Sequence, residues 1–440
     1  MNLRRFFLAW MLVFAFSQGV LANGLTPPVF GGHFATPAEA DPAATYWNPG
    51  ALGFVKGTQG FLNVSPTYFP ATYVPTSTTT KYSSTLFQVS PLFAVTSDFG
   101  IENLTCAITI YAPFGGTTDW PADGPQRYNG VKSMIMAVNG GPVVSYKILP
   151  SLSVGAGAFY VYNSLDANMS LDMYEDLSGL NLTSPAWAKA HGCETPETPG
   201  CEARIDLKNA TGSSINWSAG VFFAPTQDMS FGLSYQAPID VSLKGDIRVS
   251  SVNPLFNAFL NPGLKGAKGD VTVDYVLPQT INFGGRIRVT DNWQADLMVR
   301  WLNWDVHDKL GIQITGATGG ASMIVNGDRS IDRGYADAFS GRLGGIYSGF
   351  TSWRIIGALG YDQSGVHDEY MSASNMEFDK VYLAAGFDYL MLNNKLRLGA
   401  GFKHDFIIPR TVTNSKLPQS SNGKYDGYWE TLDFTVAYRL

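Results

Sequence analysis

Segments that alternate apolar and polar residues recur along the chain, and their connectors are by turns short and long. Trp293, Ala295, Leu297, Val299 and Trp301 alternate with Gln294, Asp296 and Arg300. Ile281, Phe283 and Ile287 alternate with Asn282, Arg286 and Arg288, and Leu396, Leu398 and Phe402 with Arg397 and Lys403. Successive strand side chains point to opposite faces, so each segment has one greasy face and one polar or small face. A soluble sandwich shares that pattern, but the connectors separate the two. Fourteen strands are predicted, at about 57–69, 84–95, 98–112, 130–147, 151–166, 212–225, 228–242, 268–288, 292–307, 334–348, 352–363, 378–390, 395–407 and 425–440. Connectors near 96, 148, 226, 290, 350 and 392 are short turns, and every connector between them is long. Long loops at one end and tight turns at the other mark an all-β, 14-stranded antiparallel transmembrane β-barrel, expected over residues 57–440.

Composition agrees. Charged residues make up 15% of the chain, against about 25% for ordinary soluble domains, and aromatic residues 13%. No basic block offers a footprint for nucleic acid. Arg4 and Arg5 precede an apolar run over 6–16 and small residues before position 22. That run is far short of the roughly 20 residues of a membrane helix, so 1–22 is read as a secretory signal peptide. Trp293, Trp301, Trp304, Trp353, Tyr361, Tyr389 and Trp429 fall at strand ends, where aromatic girdles form at the membrane–water boundary.

Residues 23–56 carry no alternation and are rich in Gly, Ala and Pro, and a barrel interior is the economical place for them. They are expected to form a hatch. Cys193 and Cys201 bracket a Pro- and Gly-containing polar segment and are expected to form a disulfide, with Cys106 left as a buried thiol. A zinc site is disfavoured, because only His191 stands near. No cofactor motif or nucleophile motif is present. The dipeptides His307-Asp308, His367-Asp368 and His404-Asp405 cannot form catalytic pairs on strands, because neighbours face opposite ways.

Two sets of residues are candidates for ligand contact. Arg286, Arg300, Arg354, Arg397 and Lys403 should project inward, where they either pair with lumen carboxylates or hold a ligand carboxylate. Leu255, Phe256, Phe259 and Leu260 form a greasy stripe on one long loop, and Trp187 stands on another. These either pack on each other or form a capture groove.

Several stretches, in order, resemble the FadL/TodX family of outer-membrane transporters for long-chain fatty acids and other hydrophobic compounds. They are DPAATYWNPGAL, TIYAPFG, SVGAGAFYVYN, SFGLSYQAPIDVSLKGD, LPQTINFGGRIRV, WQADLMVRWLNW and GRLGGIY. The resemblance implies a 14-stranded barrel with an N-terminal hatch, whose Asn-Pro-Ala motif falls on Asn48, Pro49 and Gly50. It implies capture by apolar loops, release through movement of the hatch N-terminus (Asn23, Gly24, Phe30), and sideways exit at a kinked third strand. That exit is expected at Gly100, Glu102 and Asn103, with the Asn48-Pro49-Gly50 turn against it. The implied partners are a hydrophobic small molecule and the lipid and lipopolysaccharide of a Gram-negative outer membrane, with the protein a monomer. Passive uptake of long-chain fatty acids is the leading expectation, with aromatic hydrocarbon uptake, a general porin and an outer-membrane hydrolase as rivals.

Overall fold

A computed structural model describes residues 35–174, 195, 197–198, 201–251, 257, 267–318, 322, 325–417 and 421–440. One antiparallel sheet closes on itself through fourteen strands. In chain order they are β1 (Gln59–Pro75), β2 (Tyr82–Ser97), β3 (Leu104–Asp119), β4 (Lys132–Leu149), β5 (Leu152–Asp172) and β6 (Glu202–Phe223). Four bent strands follow, each in two segments: β7 (Met229–Gln236, Ile239–Ser250), β8 (Ala267–Leu277, Thr280–Arg288), β9 (Trp293–Leu302, Lys309–Thr315) and β10 (Gly327–Asp332, Ala338–Tyr347). The last four are β11 (Trp353–Asp362), β12 (Lys380–Met391), β13 (Leu396–Ile407, Arg410–Val412) and β14 (Gly423–Gly427, Trp429–Arg439). Closure runs from Gln59 opposite Arg439 to Tyr68 opposite Glu430.

The alternation places the greasy face outward. Ile108, Leu343 and Leu383 are more than half exposed, whereas their inward neighbours Thr109, Arg342 and Tyr382 are buried. Apolar exposure in a continuous band is what a bilayer covers. At the short-turn end Trp293 meets Tyr347 and Trp353 meets Tyr389, with ring centroids 5.0 and 4.5 Å apart. Two expected girdle residues lie elsewhere: Trp304 and Trp429 are buried inside. Trp429 follows the outward Tyr428, so alternation turns it inward, and Trp304 sits in a 3-10 turn (Trp304–His307) between the two segments of β9.

Strands run further toward the long-loop end than alternation indicates. β1 reaches Pro75 and β5 Asp172, while β6 begins at Glu202 instead of near 212. Beyond the apolar band the outer face no longer meets hydrocarbon, so it carries Arg204, Lys208 and Asp240 and the periodic signal fades although the ladder continues.

Residues 35–58 lie inside the barrel at the short-turn end. A single helical turn, α1 (Ala44–Trp47), leads into a 3-10 helix (Pro49–Phe54), and both are buried. Asn48 separates them in extended backbone, its side chain accepting from the Gly50 N–H at 3.0 Å.

Candidate functional site

The plug docks on one side of the lumen. Asn48 Nδ2 donates to Pro37 O at 2.8 Å and to Val221 O on β6 at 3.0 Å. Gly50 O accepts from Ser145 on β4 and Ser153 on β5 at 2.9 and 2.6 Å. Contact this close requires a wall without side chains. Gly155 on β5, Gly220 on β6, Gly232 on β7 and Gly284 on β8 supply it. A Cβ on Gly220 would lie 2.0 Å from Asn48 Oδ1, and one on Gly155 2.4 Å from Pro49 O. The reverse holds at Gly50, where a Cβ would stand 2.7 Å from Gly220 O, so the Ala of the family motif does not fit this docked geometry.

Beside the glycine wall, from β8 round to β13, the contacts of the plug are charged. Glu39 meets Arg286 at 3.2 Å, Asp41 meets Arg397 at 2.8 Å, and Arg342 donates to Ala35 O at 2.9 Å. Arg354 pairs with Asp388 and Lys403 with Asp405. Four of the five inward cations singled out in the sequence are therefore paired with carboxylates. The fifth, Arg300, donates to Tyr46 Oη at 3.1 Å. The space beside Glu39, Arg354 and Arg397 is about 20 Å³, the room of a water or two and not of a ligand.

A larger cavity of about 400 Å³ lies above the plug, in the long-loop half. Its wall is aliphatic, with Ile135, Leu207, Ile247, Val271, Val273 and Ile312 prominent. Aromatic contacts join plug and wall near it: Tyr46 of the plug lies 5.2 Å from Tyr111 on β3, and Phe114 on β3 lies 6.2 Å from Trp304. None of the five expected cations lines this cavity; its polar residues include His307, Arg333 and Asn375. Sequence reasoning missed Arg333 because it falls between the two segments of β10, where alternation has no meaning.

The connector over 120–131 closes the cavity from above. Arg127 Nε meets Glu202 at 2.9 Å, the Tyr128 hydroxyl donates to the same carboxylate at 3.2 Å, and Ser170 donates to its other oxygen. Trp120 Nε1 donates to Ala373 O at 3.1 Å.

The wall itself opens between β2 and β3. β1 and β2 pair continuously from Gln59 opposite Thr96 to Tyr73 opposite Tyr82, but the β2–β3 ladder stops at Leu92 opposite Tyr111. β3 then bulges: Tyr111 opposes Asn139 on β4, yet Phe114 opposes Ala137, so one residue is extra. Pro91 and Pro113, which have no N–H to give, flank the break. The strands meet again where Ser84 Oγ donates to Asp119 O at 2.8 Å. The extra residue also flips parity, turning Phe114 inward against the aliphatic and aromatic cores on either side of it.

The expected exit thus needs correction. Gly100, Glu102 and Asn103 form the short turn between β2 and β3, with Gly100 and Asn103 at positive φ and the Ile101 N–H bonded back to Asp98 O. The break lies higher, at Ala112 and Pro113. Nor does the Asn48-Pro49-Gly50 turn lie against it, because that turn docks on β4, β5 and β6.

Other candidates divide between placed and undescribed residues. Asn23, Gly24, Phe30, Trp187, Leu255, Phe256, Phe259, Leu260 and Cys193 lie outside the described residues. Cys201 is disulfide-bonded and buried, while Cys106 is a free thiol. His404 faces outward, 3.5 Å from Glu430, and its neighbour Asp405 faces inward to Lys403.

The profile of the family described as "Outer membrane protein transport protein (OMPP1/FadL/TodX)" matches residues 14–437. The chain belongs to this family. It is a β-barrel of the Gram-negative outer membrane, with its short turns periplasmic and its long loops extracellular. A long-chain fatty acid transport protein of Escherichia coli O6:H1 is 24% identical over 308 residues, which cover 67% of this chain and 65% of that one. Its counterpart in Escherichia coli K12 is 21% identical over 319 residues, covering 71% and 66%. In fold, a Pseudomonas aeruginosa FadL homologue superposes with a TM-score of 0.78 over 96% of this chain and 99% of that one, at 16% identity. The Ralstonia pickettii toluene transporter TbuX gives 0.67 over 94% and 97%, at 19% identity. The family is one of transporters of hydrophobic compounds.

Proposed function

We propose that this protein is a monomeric, passive importer of hydrophobic small molecules, which it takes from the cell exterior and releases sideways into the outer membrane. The observations that carry the reading are the aliphatic cavity above a docked plug and, across Phe114 of β3, which packs against the cavity's aliphatic cluster, an unpaired stretch of wall. Lipopolysaccharide is a polar barrier to apolar molecules, and the aliphatic cavity offers them desolvation worth about 25 cal/mol per Å² buried. Leu255, Phe256, Phe259, Leu260 and Trp187 on the extracellular loops are assigned to capture, which their apolar side chains suit. Asn23, Gly24 and Phe30, preceding the docked plug, are assigned to gating. From the cavity a molecule passes Phe114 and leaves between β2 and β3. No energy source is required: flow follows the gradient.

Deleting Pro113 tests the route, because it removes the extra residue and brings Ala112 opposite Val138 in an unbroken β3–β4 register. The barrel should fold and remain heat-modifiable, while uptake of a radiolabelled fatty acid falls at least tenfold. Wild-type uptake by the deletion would move the exit to the periplasmic mouth.

A further inference from the structure

Two side chains on the cavity lining, Asn375 and His307, present hydrogen-bond acceptors with nothing to accept. Asn375 donates both hydrogens of its amide, to Arg333 O at 2.9 Å and to Tyr370 O at 3.2 Å, which fixes the way the amide points. Its Oδ1 is left as an acceptor, buried and without a partner among the described residues. The His307 ring is caged by Trp304, Tyr335 and Tyr275, with centroids 5.5, 5.1 and 5.6 Å away. Its Nδ1 lies 2.8 Å from Val276 O, and a carbonyl can only accept, so Nδ1 carries the hydrogen. Burial, with the Arg333 charge behind it, pushes this imidazole down to about 3. The ring is therefore neutral, and Nε2 is an acceptor.

Arg333 ties the two together. Its N–H donates to Asp308 O, next to His307, at 2.6 Å, and its carbonyl accepts from Asn375. Arg333 lies on the same lining, and its Nε is a buried donor without a partner among the described residues. One polar end thus offers two neutral acceptors and one donor to an otherwise aliphatic chamber. Buried polar groups are nearly always paired, so the molecule that fills this end must bring a hydrogen. A hydrocarbon or an ether brings none. A carboxylate could use Arg333 but would turn further acceptors toward Asn375 and His307. An ammonium would be repelled by the Arg333 charge. A hydroxyl donates and accepts at once, so a single uncharged group answers Arg333 and an acceptor together.

We propose that His307 and Asn375, with Arg333, read a hydroxyl group, so that the cavity selects long-chain alcohols and other apolar molecules bearing a hydroxyl over their hydroxyl-free counterparts. The apolar body lies along Leu207, Ile247, Val271 and Ile312. The selection comes from what the wrong ligand leaves unmet: a site built around a hydroxyl rejects an analogue that lacks one. The inference rests on the cavity being the transport site.

The test is calorimetric titration of the detergent-solubilised barrel with dodecan-1-ol, its methyl ether and dodecane. The wild type should bind the alcohol about tenfold more tightly than the ether. His307→Phe, which keeps a ring in the cage but offers no acceptor, should lose most of that margin. His307→Gln, which can donate to Val276 O and still present an acceptor oxygen, should keep it. The margin is read within each variant, so a general loosening of the cavity cancels, and the heat-modifiable gel shift checks folding. Equal affinities of the wild type for alcohol and ether, or a His307→Phe that keeps the full margin, overturns the hydroxyl reading alone and leaves the cavity reading standing. If none of the three compounds binds the wild type, both fail.

Discussion

Asn48 uses its whole side-chain amide on backbone: two bonds donated, to Pro37 and Val221, and one accepted, from Gly50. Each such bond contributes roughly 1 kcal/mol net, and leaving buried partners unmet costs more. Asn48→Ala is therefore expected to loosen the plug by about 3 kcal/mol without unfolding the barrel, whose ladder closes independently through β1 and β14. Amide exchange over residues 48–54 should quicken by about a hundredfold, and Asn48→Asp, which keeps the acceptor for Gly50, should fall between. Unchanged exchange in Asn48→Ala would mean that the glycine track alone holds the plug. At this scale the sequence showed Arg286 and Arg397 facing inward but not what they face. Glu39 and Asp41 lie in a segment without periodicity, so nothing in the pattern brings them to those arginines. Arg333 was hidden for the same reason.

Among the elements, alternation revealed each strand where it crosses hydrocarbon and lost it where it rises above. The β3 break was legible as a kink but not placed, because Glu102 and Asn103 interrupt the apolar pattern merely by forming a turn, whereas Ala112-Pro113 interrupt the ladder. A different element carries a titratable device. The extracellular connector over 363–379 buries Glu377, which accepts from the Gly365 N–H at 3.0 Å. Burial pushes its carboxyl up to about 8, against the opposing pull of Lys380. The folded connector thus keeps a proton that the undocked one releases from about pH 4.5 upward. By linkage its docking is fully favoured below that pH and weakens as pH rises toward 8. Limited proteolysis should cut this connector several-fold faster at pH 8 than at pH 5, and Glu377→Gln should be equally resistant at both. A wild-type connector cut equally at both values would mean that Glu377 is ionised throughout.

In the whole molecule, plug and wall are two bodies joined by two unlike faces. One is backbone against backbone across Gly155, Gly220, Gly232 and Gly284, which works only at close range. The other is charge against charge, Glu39 and Asp41 on the plug against Arg286 and Arg397 on β8 and β13. If the plug is what shuts the barrel to ions, removing residues 23–56 should leave an open pore. The exposed lumen would then hold Arg286, Arg300, Arg342, Arg354 and Arg397 against Asp296, Asp388 and Asp433, an excess of positive charge once Glu39 and Asp41 are gone. A wide pore lined in this way favours anions, and the preference should fade as salt screens it. In planar bilayers the deletion is expected to conduct ohmically, with a reversal potential of anion-selective sign in a dilute potassium chloride gradient. The intact protein should remain nearly silent. Cation selectivity would show that the lumen arginines stay neutralised without the plug, and a silent deletion would show that the barrel is closed by something other than residues 23–56.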